Sequence, residues 1–274
     1  MRWISLPVVI VVALAGCRGE GGKPPPAAGA TPQDPPPQAT VSPLRDLAEH
    51  TPQYLLGITF PPSVTLPPGL AEALRRHAEA ERARLLAAVA RKPPQQQGPY
   101  DLTLVFRVRH ASPRFVVVAA DGSRYVGGEA SEPLIARFVW LPGEGRMLTV
   151  AELVPGAAGW EAIARLVRLE LVAAFARRLA YDKVPPEQRE ALLKTARTEI
   201  ETLVRPTPQA FAHFEPVFGP GERILALRFV FPPLRVEGYA DAVQTAEVPA
   251  AVLWPHLAPA YRGWFEAGAP AAER

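Results

Sequence analysis

The chain has 274 residues, 48% of them hydrophobic, with 30 Lys and Arg against 27 Asp and Glu and a formal net charge of +3. That is enough apolar material for one large domain or two small ones. Charge this evenly balanced, with no dense Lys/Arg run interleaved with aromatics, argues against a nucleic-acid partner. A single cysteine excludes an intrachain disulfide framework and a zinc–thiolate cluster.

Arg2 and the amino terminus precede an apolar run over residues 3–15, Trp-Ile-Ser-Leu-Pro-Val-Val-Ile-Val-Val-Ala-Leu-Ala. A helix needs roughly 20 apolar residues to cross a bilayer, so this run suits the hydrophobic region of a signal peptide better than a span. It ends in Leu14-Ala15-Gly16-Cys17, which resembles the lipobox of bacterial lipoproteins. Small residues at 15 and 16 fit a narrow peptidase cleft, and Cys17 holds the chain's one thiol. The resemblance implies cleavage before Cys17, lipidation of that residue and acylation of the new amine, which together give a stable anchor. Arg18 follows where an aspartate would signal inner-membrane retention, so the outer membrane is expected, with the chain facing the periplasm.

From residue 17 to about 43 the chain is rich in proline and glycine, with Pro24-Pro25-Pro26 and Pro35-Pro36-Pro37 and almost no large apolar side chain. Such a segment cannot bury enough surface to fold. As an extended linker at about 3.1 Å per residue it would reach on the order of 80 Å from the lipid.

Folded structure is predicted from residue 44. Tyr54 to Phe60 reads as a first strand, ended by Pro61-Pro62. A helix from Pro68 to Val89 follows, with Leu70, Leu74, Ala78, Leu85 and Val89 near helical spacing and Glu72 one turn from Arg76. Tyr100, Leu102, Leu104, Phe106 and Val108 then alternate with polar residues, the pattern of a half-buried strand. Phe115 to Ala120 and Ser123 to Val126 read as two more strands joined by an Asp121-Gly122 hairpin turn. Leu134, Ala136, Phe138 and Trp140 share one face of the next strand, and Pro142 to Gly145 turn the chain into Met147. Helices are predicted from about Trp160 to Leu179, with Ile163, Val167, Leu171 and Ala174 on one face, and from Pro186 with Leu192, Ala196, Ile200 and Leu203. Strands at Ala210 to Phe214, Leu225 to Phe231 and Thr245 to Val248, then a short helix from Ala250 to Leu257, complete the pattern. Segregated strands and helices predict an α+β fold, with antiparallel sheets, helices packed on one face and two sequential subdomains over 44–155 and 156–262. Residues 263–274 form a tail.

At this point the chain resembles a bacterial extracytoplasmic family, the module of the lysozyme-receptor ectodomain of the anti-sigma factor RsiV. The family pairs N- and C-terminal domains of unknown function and is also appended to some peptidoglycan deacetylases. Gly127-Gly128-Glu129-Ala130 stands where the family shows Gly-Gly-Ala-His. The run from Gly145 to Val154 resembles its turn, Leu-Thr and Asp-Leu-Phe stretch. Phe229 to Tyr239 resembles its aromatic strand, paired prolines and tyrosine, and Tyr239 to Pro249 its Tyr-Ala-x-Gly to Val-Pro run, with Ala242 at the glycine position. The resemblance covers about residues 52–258.

Gly127, Gly128 and Tyr239 are the candidate ligand-binding residues. Their simplest roles are positive backbone φ for the glycines and a ring packed under a loop for the tyrosine. His50, His77, His110, His213 and His256 show no metal-ligand spacing, and no His-Glu-x-x-His or Gly-x-Ser-x-Gly occurs. His77 is expected in solvent on its charged helix and His213 at the surface. Glu129/Glu132 and Glu199/Glu201 have no special context. No metal, cofactor or catalytic residue is expected. The resemblance implies a non-catalytic envelope binding or sensing module, with peptidoglycan or a lysozyme-like protein as partner. A slightly basic chain fits an anionic glycan better than a basic lysozyme. An anti-sigma role is not expected, since no apolar run would carry the chain into the cytoplasm. The alternatives are a cell-wall hydrolase or deacetylase, and a purely structural lipoprotein.

Overall fold

The computed structural model describes residues 44–62, 66–239 and 243–266. The predicted signal peptide at residues 1–16, Cys17, the predicted linker to residue 43, Ala242 and residues 267–274 of the predicted tail lie outside the described residues. All the described residues belong to one compact unit, Val41–Arg274.

The fold is α+β. A six-stranded sheet contains β1 (Leu47–His50), β2 (Tyr54–Thr59), β3 (Tyr100–Ala111), β4 (Val116–Tyr125), β5 (Glu132–Leu141) and β6 (Arg146–Met147), side by side in chain order. Neighbours are antiparallel except β2 and β3, which are parallel. That exception follows from α1 (Pro68–Val89), which carries the chain back over the sheet between them. A parallel pair was not expected from the alternation alone, and neither was β1.

The helix forms as predicted. Pro68 occupies its first turn, where a missing N–H costs nothing, and Leu70, Leu74, Ala78 and Leu85 are buried along one stripe. They meet Leu56, Ile58, Leu102, Leu104, Phe106, Val118, Ala136 and Trp140 on one sheet face. Gly69 is required here, because a Cβ would stand 2.5 Å from the Trp140 ring.

The predicted hairpin at Asp121-Gly122 is corrected. Both residues lie inside β4, and the chain turns at residues 112–114 instead, where the Ser112 hydroxyl accepts from the Phe115 amide at 3.0 Å. Gly122 is there for another reason. A Cβ would come within 1.9 Å of the Thr103 carbonyl oxygen on β3, so only glycine fits.

After β6 come α2 (Val150–Leu153), α3 (Ala157–Tyr181) and α4 (Pro186–Leu203). Thr149 and Glu152 form a capping box at the start of α2. A three-stranded antiparallel sheet follows, with β7 (Phe214–Phe218), β8 (Ile224–Phe231) and β9 (Gln244–Pro249) in that order. The strand predicted at Ala210 to Phe214 therefore starts four residues later; residues 208–212 form successive turns. The chain closes with α5 (Ala250–Leu253), a 3-10 turn at Trp254–His256 and α6 (Pro259–Arg262), and Phe265 then bridges to Ile224.

Two clusters of buried side chains fill the unit. One lies within residues 56–140 under α1. The other draws on both sides of the predicted division at 155/156. In it Phe115, Val117, Val139 and Leu141 meet Ile163, Val167, Phe211, Phe229 and Leu253. The second face of β4 and β5 is thus part of the core of the C-terminal half, which brings the two sheets close together.

Candidate charged cleft between the sheets

Where the sheets approach, the residues that meet are charged. On the smaller sheet Glu215, Arg228 and Glu247 stand in one cross-strand row, Glu215 opposite Arg228 and Arg228 opposite Glu247. Arg228 donates from Nε and Nη2 to Glu247 Oε1 at 2.9 and 2.6 Å. On the larger sheet Arg137 is in register with Ala119, whose small side chain leaves it room. Its Nη1 donates to Asp121 Oδ1 at 2.7 Å and to the Ala136 carbonyl at 2.8 Å. Across the junction Arg137 Nε stands 2.5 Å from Glu215 Oε1. Its hydrogen is not aimed at that oxygen, so this is a close ion contact rather than a hydrogen bond. Both side chains are only 7% exposed. Arg109 Nε and Arg228 Nη1 each stand 3.8 Å from Glu215 Oε2.

His110 joins Arg109 at this place through a β-bulge. The register of β3 on β4 shifts between Val108 and His110, leaving Arg109 as the extra residue. Regular alternation would send Arg109 and His110 to opposite faces. With the bulge, both line the junction. The His110 ring stacks on Phe218 with centroids 4.1 Å apart, and its Nε2 stands 3.6 Å from Glu222 Oε1.

Together Arg109, Asp121, Arg137, Glu215, Arg228, Val230, Thr245 and Glu247 enclose a cleft of about 470 Å³. Three guanidinium groups face three carboxylates, so the cleft is locally neutral and strongly polar. Burying two ions costs several kcal/mol, and an apolar pair of similar volume often stabilises a fold as well or better. The Arg137–Glu215 pair is thus poorly explained by stability alone.

The residues singled out from the sequence lie elsewhere. Gly127 and Gly128 both have positive φ, at 93° and 101°, in the loop from β4 to β5. A Cβ on Gly127 would overlap the Gln96 side chain. Just beyond them Ala130 and Ser131 line a second cleft of about 750 Å³ with Pro232, Pro233, Arg235 and the last turn of α4. Two of the segments carrying the family resemblance therefore meet. Tyr239 does not join them. Its ring packs edge-on against Phe175, and the Arg178 guanidinium sits 5.1 Å from the ring centre.

Two histidine expectations are corrected. His77 is half-buried, its ring edge-on to Phe106 and Phe138 at 6.0 and 5.5 Å, because α1 lies flat on the sheet. His213 is half-buried just before β7. Burial holds both imidazoles below the ordinary value of 6.5; Arg137 and His77 add to this at His213, while Glu81 opposes it at His77. The unfolded chain takes these protons near pH 6.5 and the folded one resists them. Their contribution is intact above that pH and is lost as pH falls toward the folded values. The melting temperature is expected to drop between pH 8 and pH 5, and to drop less in a His77→Gln/His213→Gln variant. Equal drops in the two proteins would refute this.

Among the described residues no group of three or more His, Cys, Asp or Glu could hold a metal ion, and no helix is long and apolar enough to cross a membrane.

No protein-family model matches the chain, and no curated protein matches it. Among solved structures it is similar to a DUF3298 family protein from Pseudomonas aeruginosa PAO1, at 18% identity over 82% of this chain and 96% of that one, with a TM-score of 0.52. It is also similar to a DUF3298 family member from Bacteroides fragilis NCTC 9343, at 14% identity over 83% of this chain and 97% of that one, with a TM-score of 0.50. The likeness is one of fold. It sets this α+β architecture beside domains of unknown function.

Proposed function

We propose that this protein is a lipid-anchored envelope lipoprotein, cut before Cys17 and held in the outer membrane, whose folded unit is a non-catalytic binding module for peptidoglycan. The lipobox-like Leu14-Ala15-Gly16-Cys17 supports the anchor. The observation that carries the binding role is the cleft between the sheets, floored by the buried Arg137–Glu215 pair. Peptidoglycan presents carboxylates, amides and, in its peptides, ammonium groups, which suits a cleft bearing both signs of charge. The RsiV-like resemblance of the sequence points the same way, and the DUF3298 neighbours are consistent with it in fold. A lysozyme-like partner is less well matched, because 30 basic against 27 acidic residues give no overall attraction for a basic enzyme.

The test uses the full chain in mild detergent, incubated with purified sacculi and separately with immobilised lysozyme. Retention on sacculi without release of soluble fragments is expected. Retention on neither support overturns the binding reading, and release of fragments would make the protein an enzyme. In fractionated cells the wild type is expected with outer membranes, and Cys17→Ser in the soluble fraction.

A further inference from the structure

We infer that the cleft between the two sheets takes a zwitterionic amino-acid group, the ammonium and carboxylate of a short peptide or a free amino acid. This deepens the binding role proposed above and rests on it.

The cleft has a floor and a mouth. Arg137 and Glu215 form the floor, already paired and almost wholly buried. At the mouth stand Arg109, Asp121 and Glu247, whose side chains are 50%, 40% and 48% exposed. Arg109 is the group best placed to accept a ligand. Its approach to a carboxylate is 3.8 Å long, to a Glu215 that Arg137 holds at 2.5 Å. Arg109 is the extra residue of the bulge in β3, outside the ladder pairing, and it lines the junction beside His110. A guanidinium in that position can take a ligand carboxylate in a charge-assisted pair. Asp121 and Glu247 offer exposed oxygens to an ammonium group, and Thr245 adds a hydroxyl beside them.

Charge balance selects the ligand. A simple anion such as phosphate would meet Arg109 but be repelled by Asp121, Glu215 and Glu247. A simple cation would meet those carboxylates but be repelled by three guanidinium groups. A ligand carrying both charges a few ångströms apart satisfies both sets. At about 470 Å³ the cleft lies in the range usual for small-molecule sites.

The test titrates the full chain in detergent with meso-diaminopimelic acid, its N,N′-diacetylated form and its diamide, followed calorimetrically. The free zwitterion is expected to bind, and blocking either charge to weaken binding at least about tenfold, the equivalent of about 1.4 kcal/mol. Arg109→Ala and Asp121→Asn, both at exposed positions, should each weaken it similarly, while Arg109→Lys keeps part of the affinity. Equal binding of free and blocked forms, no binding at all, or an unchanged affinity in Arg109→Ala overturns the inference. If sacculi are still retained in those cases, the inference falls alone. If they are not, the peptidoglycan reading falls with it.

Discussion

Replacing Glu215 by leucine is expected to destabilise the folded unit by about 3–5 kcal/mol, because it leaves the buried Arg137 guanidinium without its closest counter-charge. For a unit of this size that is a fall in melting temperature on the order of 10 °C. Asp121 stays within 2.7 Å of Arg137 but is 40% exposed, so it compensates only in part. The double variant Glu215→Leu/Arg137→Met removes both charges and should recover most of the loss, since a well-packed apolar pair can match a buried ion pair. Thermal unfolding followed by circular dichroism checks both. A single variant that melts within a degree or two of wild type would mean that water reaches the pair, and the cleft floor would then be no more than a surface ion pair. A double variant that is stable yet does not retain sacculi would separate the role of the pair in binding from its role in folding.

The second large effect is expected at Phe115. This residue belongs by sequence to the N-terminal half, yet it is fully buried in the core of the C-terminal half. Its ring stands 5.2 Å from Phe218 and 5.4 Å from Trp264. Phe115→Ala should cost about 3–5 kcal/mol, through lost burial and the cavity left behind. The more telling outcome is cooperativity. Trp140 sits in the cluster under α1 and Trp160 in the other. If the shared face of β4 and β5 joins the halves, single-tryptophan reporters at these two positions should melt together in the wild-type background. Separate transitions would show two independently folding pieces.

Much of the fold was legible because one side chain in two or in four is apolar along its elements. Helix α1 begins and ends where Pro68 and the spacing of Leu70 to Val89 place it. The face shared by Leu134, Ala136, Phe138 and Trp140 is the face that meets α1. The misreadings have particular causes. Asp121-Gly122 has the chemistry of a hairpin turn, but tertiary packing overrode it: Gly122 is needed for the close approach of the Thr103 carbonyl, not for a turn. The parallel β2–β3 pairing depends on where α1 deposits the chain, which strand composition does not encode.

The cleft itself was invisible for a different reason. Arg109, Arg137, Glu215 and Arg228 are each unremarkable as polar members of alternating strands. They are brought together by the packing of two sheets, which leaves no mark in residue type. The only signal available was an Arg on a strand face whose nearest other residues are apolar, Arg137 with Ile135 and Val139 and Arg228 with Ala226 and Val230. The glycine and tyrosine motifs pointed instead to a loop cleft and to a packed ring on α3.

The bulge in β3 has a consequence for how this surface can change over generations. The bulge absorbs one extra residue, so that His110 and Ala111 pair with Val117 and Val116 as an uninterrupted ladder one residue shorter would pair them, and the presence of that residue is a binary character rather than a graded one. Deleting Arg109 would remove one guanidinium from the lining. It would restore the plain ladder from Val108 onward with His110 still opposite Val117, on the side of Phe218. A relative with the same fold and one residue fewer at this point would present a different lining without a single substitution elsewhere. Strand length at the bulge, which similarity scores barely register, is thus a sharper marker for chains that share this cleft than overall identity.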